Sequence, residues 1–120
     1  MNKTVSFELG KLLKEKDFKK KCTSFYDLIS NTQIDNAPIG NYNLTKQSVS
    51  IPTIVEVIMW LYEKHGIWIY TSDNSTRLGF RCQIQRLKIL GEDNFSSEER
   101  YDSPTEAYEA AIEYTLKNLL

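Results

Sequence analysis

Residues 52–73 read PTIVEVIMWLYEKHGIWIYTSD, and they decide the fold because a helical pattern gives way to a strand pattern at one glycine. Pro52 suits the first position of a helix and Gly66 stands where a left-handed C-cap residue belongs, which predicts a helix over 52–65. The helix is apolar nearly all round: Ile54, Val55, Val57, Ile58, Met59, Trp60, Leu61 and Tyr62 leave little polar face. It should therefore lie at the centre of the fold or at a subunit interface. After Gly66 the side chains alternate, with Ile67, Ile69 and Thr71 on one side and Trp68, Tyr70 and Ser72 on the other. Asp73-Asn74-Ser75 signals a turn, and a second strand is expected from about Leu78 or Gly79, with Phe80, Cys82 and Ile84 on its inner face. Beyond them Leu87 and Ile89 fall in the opposite phase, which predicts a bulge or break near Gln85-Arg86.

Upstream, Ser6 as N-cap and Leu9, Leu12 and Leu13 at helical spacing predict a helix over 6–16. It runs into the lysines 14, 16, 19, 20 and 21, which read as a solvated helix end or as a phosphate-binding patch. Ser24 to Ile29 suits a short strand or a helical turn. Residues 30–50, SNTQIDNAPIGNYNLTKQSVS, read as a long polar loop or lid, with Ile34, Ile39, Tyr42 and Leu44 available to pin it to the body or to a partner. Downstream, a polar stretch leads to Ser103-Pro104-Thr105-Glu106, a helix start with Ser103 as N-cap and Glu106 as the reciprocal partner of a capping box. The last helix should bury Tyr108, Ala111, Ile112, Thr115, Leu116 and Leu119. The expectation is one α+β domain over 1–120, in the order helix, short strand, loop, helix, strand, strand, helix, with an antiparallel hairpin packed with the central apolar helix.

Composition narrows the function classes. In 120 residues, 15 Lys+Arg stand against 16 Asp+Glu for a net charge of -1, so the basic excess of a generic nucleic-acid binder is missing. That balance is a cancellation: residues 1–50 hold 8 bases against 5 acids, 51–90 hold 5 against 3, and 91–120 hold 2 against 8. The opening residues show no apolar run of signal-peptide length, and the longest apolar stretch, Ile51 to Tyr62, is too short to span a bilayer. A cytoplasmic protein is expected. Cys22 and Cys82 are expected as free thiols, and two cysteines with the single His65 give no recognisable metal site. No cofactor and no catalytic residue is assigned, since no nucleophile elbow, HExxH, GxxxxGK[ST] or GxGxxG occurs. His65, at a helix C-terminus, reads as a capping residue.

Three of the four arginines, Arg77, Arg81 and Arg86, lie on or beside the hairpin that carries Trp68 and Tyr70. With the core taking the other phase, the outer face presents Trp68, Tyr70, Arg81 and Gln83, a set able to stack on a planar base and grip a phosphate or carboxylate. The candidate ligand-binding residues are thus Trp68, Tyr70, Arg77, Arg81 and Arg86, unless a helix or a second subunit covers that face.

The SFELGKLLKEK opening, the central WLYEKHGIW block and the SPTEAYEAAIEYTLKNL ending occur in the order found in small, uncharacterised phage, prophage and mobile-element proteins of gut Bacteroidetes, which the chain resembles over most of its length. The resemblance supplies a setting and no residue roles. It implies an accessory protein, expected as a homo-oligomer, that counters host defence by binding a nucleotide-like small anion or a host defence protein. The alternatives are an enzyme cleaving such a nucleotide, with His65, Tyr101 or a glutamate as acid or base, and a structural or assembly protein.

Overall fold

The structure, a computed structural model, describes residues 3–71, 79–88, 91–96 and 101–120. Three helices and two small antiparallel sheets share one hydrophobic core, an α+β domain. Helix α1 spans Phe7–Glu15 and is capped by Ser6, whose hydroxyl accepts from the Leu9 N–H at 3.2 Å. Its end is a Schellman turn: Phe18 N–H donates to Leu13 O at 3.0 Å and Asp17 N–H to Lys14 O at 3.2 Å. Asp17 takes the left-handed position, with φ 63, that glycine usually fills. Phe18 and Leu13, the two residues this turn brings together, are both fully buried.

Helix α2 spans Ile54–His65. Its cap is Thr53, in a reciprocal capping box with Glu56, so Pro52 lies one residue before the cap and not at the first helical position. Pro52 serves the N-terminal segment instead: its carbonyl accepts from Val5 N–H, while Ile54 N–H donates to Lys3 O, both at 2.9 Å. Gly66 ends the helix at φ 65, as its place in the sequence predicts. One side of α2 is core, with Ile54, Val57, Ile58, Trp60 and Leu61 buried, whereas Val55, Met59 and Tyr62 form a stripe 40–45% exposed. The near-uniform apolar character thus resolves into a buried face and an uncovered one.

Helix α3, Pro104–Asn118, starts at Ser103 with Pro104 in the first turn. Glu106 N–H donates to the Ser103 hydroxyl, but the Glu106 carboxylate reaches Asp102 N–H at 3.3 Å, one residue short of the expected reciprocal bond. The buried residues are Ala107, Ala111, Ile112, Thr115 and Leu116, with Tyr108 and Leu119 half-buried, and the Thr115 hydroxyl returns to Ala111 O at 2.8 Å.

Residues 30–50, expected as one loop, hold two strands and a single turn of 3-10 helix, Tyr42–Leu44. Strands β1 (Phe25–Asp27), β2 (Thr32–Ile34) and β3 (Ser48–Ser50) make a sheet in the order β2-β1-β3. Each strand is three residues long, too short to show alternation in the sequence. Of the four residues expected to pin the segment, only Tyr42 does so, stacked on Phe25 with centroids 4.2 Å apart; Ile34, Ile39 and Leu44 are exposed. Lys14 is a second tie, donating its ammonium to the carbonyls of Thr45 and Ser48.

The second sheet is β4 (Ile67–Thr71), β5 (Cys82–Lys88) and β6 (Gly91–Ser96), in that order. Strand β6 falls in the stretch expected to be merely polar. Its sole apolar residue, Phe95, stands across from Ile84, and backbone pairing with β5 does the rest. No bulge interrupts β5: its register to β4 and to β6 runs unbroken through Gln85 and Arg86. The phase change in the sequence marks the end of β4 instead. Ile67 pairs with Arg86, so Leu87 and Lys88 lie beyond β4 and pair with β6 alone.

Candidate functional site

The β4–β5 hairpin separates its side chains by parity. Antiparallel partners share a face, so Ile67, Ile69, Cys82 and Ile84, all buried, define the core side against which α3 packs. The outer face carries Trp68 and Tyr70 from β4, registered across from Gln85 and Gln83 of β5, with Arg81 next in phase just before the strand. Tyr70 is 36% exposed, and Trp68 is half-buried under the ring edge of Tyr62 at 5.4 Å. Arg81 is half-buried, and its Nε is shielded from solvent without an acceptor among the described residues. The face therefore joins two aromatic rings, two amides and one guanidinium, the groups that take a planar, hydrogen-bonding anion.

The structure does not bring all the candidate residues together. Arg81 belongs with Trp68 and Tyr70, but Arg86 takes the opposite phase, across from Ile67 on β4 and from Asp93 on β6. The alternation that groups Phe80, Cys82 and Ile84 puts residue 86 with them because no bulge intervenes, contrary to the break expected near Gln85-Arg86. Arg77 and the 73–75 turn lie outside the described residues. Two residues join the face that sequence reasoning missed. Gln85 follows from the parity of Gln83, whereas Tyr62 reaches Trp68 only because Gly66 folds β4 back beside the end of α2.

The basic run after α1 is largely occupied. Lys14 binds the two carbonyls described above, Lys16 donates to Leu120 O at 3.2 Å, and Lys20 pairs with Glu63 at 3.3 Å. Lys20, Glu63 and Lys64 do line a hollow of about 370 Å³ beside Trp60, but its cations stand at two helix C-termini, where the macrodipoles attract them and repel an anion. Cys22 and Cys82 are buried and neither is in a disulfide; burial pushes the Cys22 thiol above its ordinary pKa, and its Sγ donates to Ser24 O. Among the described residues no three His, Cys, Asp or Glu side chains are grouped to hold a metal ion. No helix among them is long and apolar enough to cross a membrane.

His65 packs edge-on against Trp60 at 4.9 Å, with Nε2 shielded and without a hydrogen-bond partner among the described residues. Burial, and then the neighbouring Lys64 charge, lower its pKa below 6.5. A shielded nitrogen is poorly placed to exchange a proton with a substrate, but it links stability to pH. The unfolded chain takes up this proton first, so the His65 contribution is full above pH 6.5 and is lost as the pH falls towards the folded-state pKa, below which the dependence levels off. Urea midpoints from pH 8 to pH 5 should fall more steeply for the parent than for His65→Gln; parallel curves would remove His65 as the cause.

No protein-family model matches this chain, and no curated protein or solved structure does so.

Proposed function

We propose that the protein is a binding protein without catalytic chemistry of its own, which holds a nucleotide-like anion against the outer face of the β4–β5 hairpin. The observation that carries this reading is the single-face grouping of Trp68, Tyr70 and Arg81, with Gln83 and Gln85 between them, on the side of the sheet away from α3. A base stacks on the aromatic rings, the amides address its polar edge, and the guanidinium meets a phosphate. Retention needs affinity alone, and in the phage and mobile-element setting that the sequence resembles, it would counter host defence by removing a nucleotide-derived signal. The exposed Val55, Met59 and Tyr62 stripe supports the accompanying expectation of a homo-oligomer.

The test incubates the protein with a panel of cyclic mono- and dinucleotides, removes free ligand, and heat-denatures the complex. Intact nucleotide released from the protein supports the reading. Cleaved product would make the protein an enzyme, and no depletion from solution would overturn nucleotide binding altogether. Trp68→Ala should weaken binding by about 1–3 kcal/mol, the worth of one stacked base. Together with Arg81→Ala the loss should reach about 100-fold or more, with the far-UV circular dichroism unchanged. A light-scattering mass of one chain would remove the oligomer from the proposal.

A further inference from the structure

A second surface, independent of the hairpin, lies between α1 and α3. The two helices run side by side in the same direction: Lys3, just before α1, approaches Glu109 at 4.0 Å, and Lys16, just after it, reaches Leu120 O. Between them is a groove of about 640 Å³. Leu12 from α1 and Ala110 from α3 lie half-buried in it, and Tyr101 stands among its walls. Ala110 adds only a methyl group to its floor.

The rims are acidic. Glu8 and Glu15 come from α1 and Glu106, Glu109 and Glu113 from α3, against two lysines, Lys11 and Lys117. Both lysines are held by glutamates of their own helices, Lys11 by Glu8 at 3.1 Å and Lys117 by Glu113 at 2.6 Å. Glu15 has no cationic partner among the described residues, and Glu109 has only the long contact to Lys3. Glutamates from both ends of the chain thus meet along an apolar-floored channel. An anion would be repelled from it, and a cationic partner would be drawn along both rims.

We infer that the α1–α3 groove is a docking site for a basic amphipathic helix of a partner protein, with leucine-like side chains over Leu12 and Ala110 and lysines or arginines along the glutamate rims. The nine residues of α1 give the groove a length of about 13 Å, which matches about two and a half turns of such a helix. Charge complementarity sets the orientation and the apolar floor supplies the affinity, so neither half of the recognition suffices alone.

The probe is a labelled Leu/Lys amphipathic peptide of about 18 residues, five helical turns, compared with a Leu/Glu peptide and a Lys/Ser peptide of matched charge. The Leu/Lys peptide should bind in the range of about 10 μM at low salt, at least tenfold more tightly than either control. Glu15→Lys with Glu109→Lys should weaken it by about tenfold or more, and Ala110→Trp, which fills the floor and keeps every carboxylate, should do the same. Amide shift changes on titrating the parent protein should centre on Leu12 and Ala110, a readout independent of whether Ala110→Trp folds. Equal binding by the Lys/Ser peptide would reduce the effect to surface charge and overturn the groove. So would shift changes centred elsewhere, or no binding by the Leu/Lys peptide at all.

Discussion

Phe18→Ala should destabilise the domain by about 3–5 kcal/mol, the range for removing a fully buried aromatic ring without collapse of the space. Phe18 has no exposed surface and sits where three parts of the chain meet. Its N–H closes the Schellman turn of α1, its ring meets Trp60 of α2 edge-on at 5.1 Å, and its carbonyl accepts from the Asn43 side chain at 2.8 Å. Truncation leaves a cavity beside Trp60 and Leu13, both fixed by helices that cannot close on it independently. A domain of this size typically has about 5–15 kcal/mol in all, so the variant should lose about a fifth of its stability or more. The urea midpoint followed by far-UV circular dichroism measures it, with Phe18→Leu as a control that retains most of the buried volume. A shift of Phe18→Ala no larger than that of Phe18→Leu would show that the site relaxes and that Phe18 is no keystone.

Nothing in the run DFKKK announces this role, because one aromatic residue between charges carries no periodicity. The contrast with the helix ends shows which parts of the fold the sequence states openly. Ser6, Gly66 and Ser103-Pro104 act through bonds to neighbours three or four residues away, so local chemistry was enough to place α1, the end of α2 and the start of α3. The hairpin was legible for a similar reason, since Ile67, Ile69, Cys82 and Ile84 alternate in phase with their own burial. Strand β1 falls within Ser24 to Ile29, which suited a short strand or a helical turn, but β2 and β3 were not legible: β2 is wholly exposed, leaving no pattern for burial to impose, and β3 pairs with a strand far back in the chain. The start of α2 shows the same limit in small: Pro52 reads as a helix opener, but a tertiary bond from Val5 claims its carbonyl and Thr53 takes the cap.

The candidate site divides along the same line. Strand parity delivered Trp68, Tyr70, Arg81 and Gln83 as one face, but the break expected near Gln85-Arg86 hid the opposite phase of Arg86. The acidic groove was invisible as a site, and two of its glutamates, Glu8 and Glu15, were counted in the net-basic first half. Glu8 and Glu15 meet Glu106, Glu109 and Glu113 only through the packing of the first helix on the last, and no local pattern encodes that contact. The lysines after α1 show the converse. Their sequence density suggests a patch, while Lys14, Lys16 and Lys20 each have a partner elsewhere in the chain, which leaves a weaker basic surface than the run implies.

Gly10→Leu should be the other severe substitution, with a loss of about 3 kcal/mol or more from overpacking. Gly10 lies inside α1, where glycine costs about 1 kcal/mol relative to alanine through backbone entropy. Nothing unusual in its backbone calls for glycine; the reason is proximity. A Cβ at this position would stand 2.7 Å from Ile51 Cδ1, 3.1 Å from Ser50 O and 3.3 Å from Val49 Cγ1. The first of these is the tip of a fully buried side chain, and the second is backbone. The closeness of α1 to β3 therefore depends on the missing side chain. In Gly10→Ala the gain in helix propensity, about 1 kcal/mol, opposes strain of about 1–3 kcal/mol, so a small net loss is expected. In Gly10→Leu the strain grows while the propensity gain does not, and α1 must lift from β3. Thermal or urea unfolding of the two variants separates the causes. A stabilised Gly10→Ala would show that the helix can shift by the few tenths of an ångström required, whereas losses that rise from alanine to leucine identify close packing of α1 on β3 as the reason for a glycine in a helix that would otherwise be better without one.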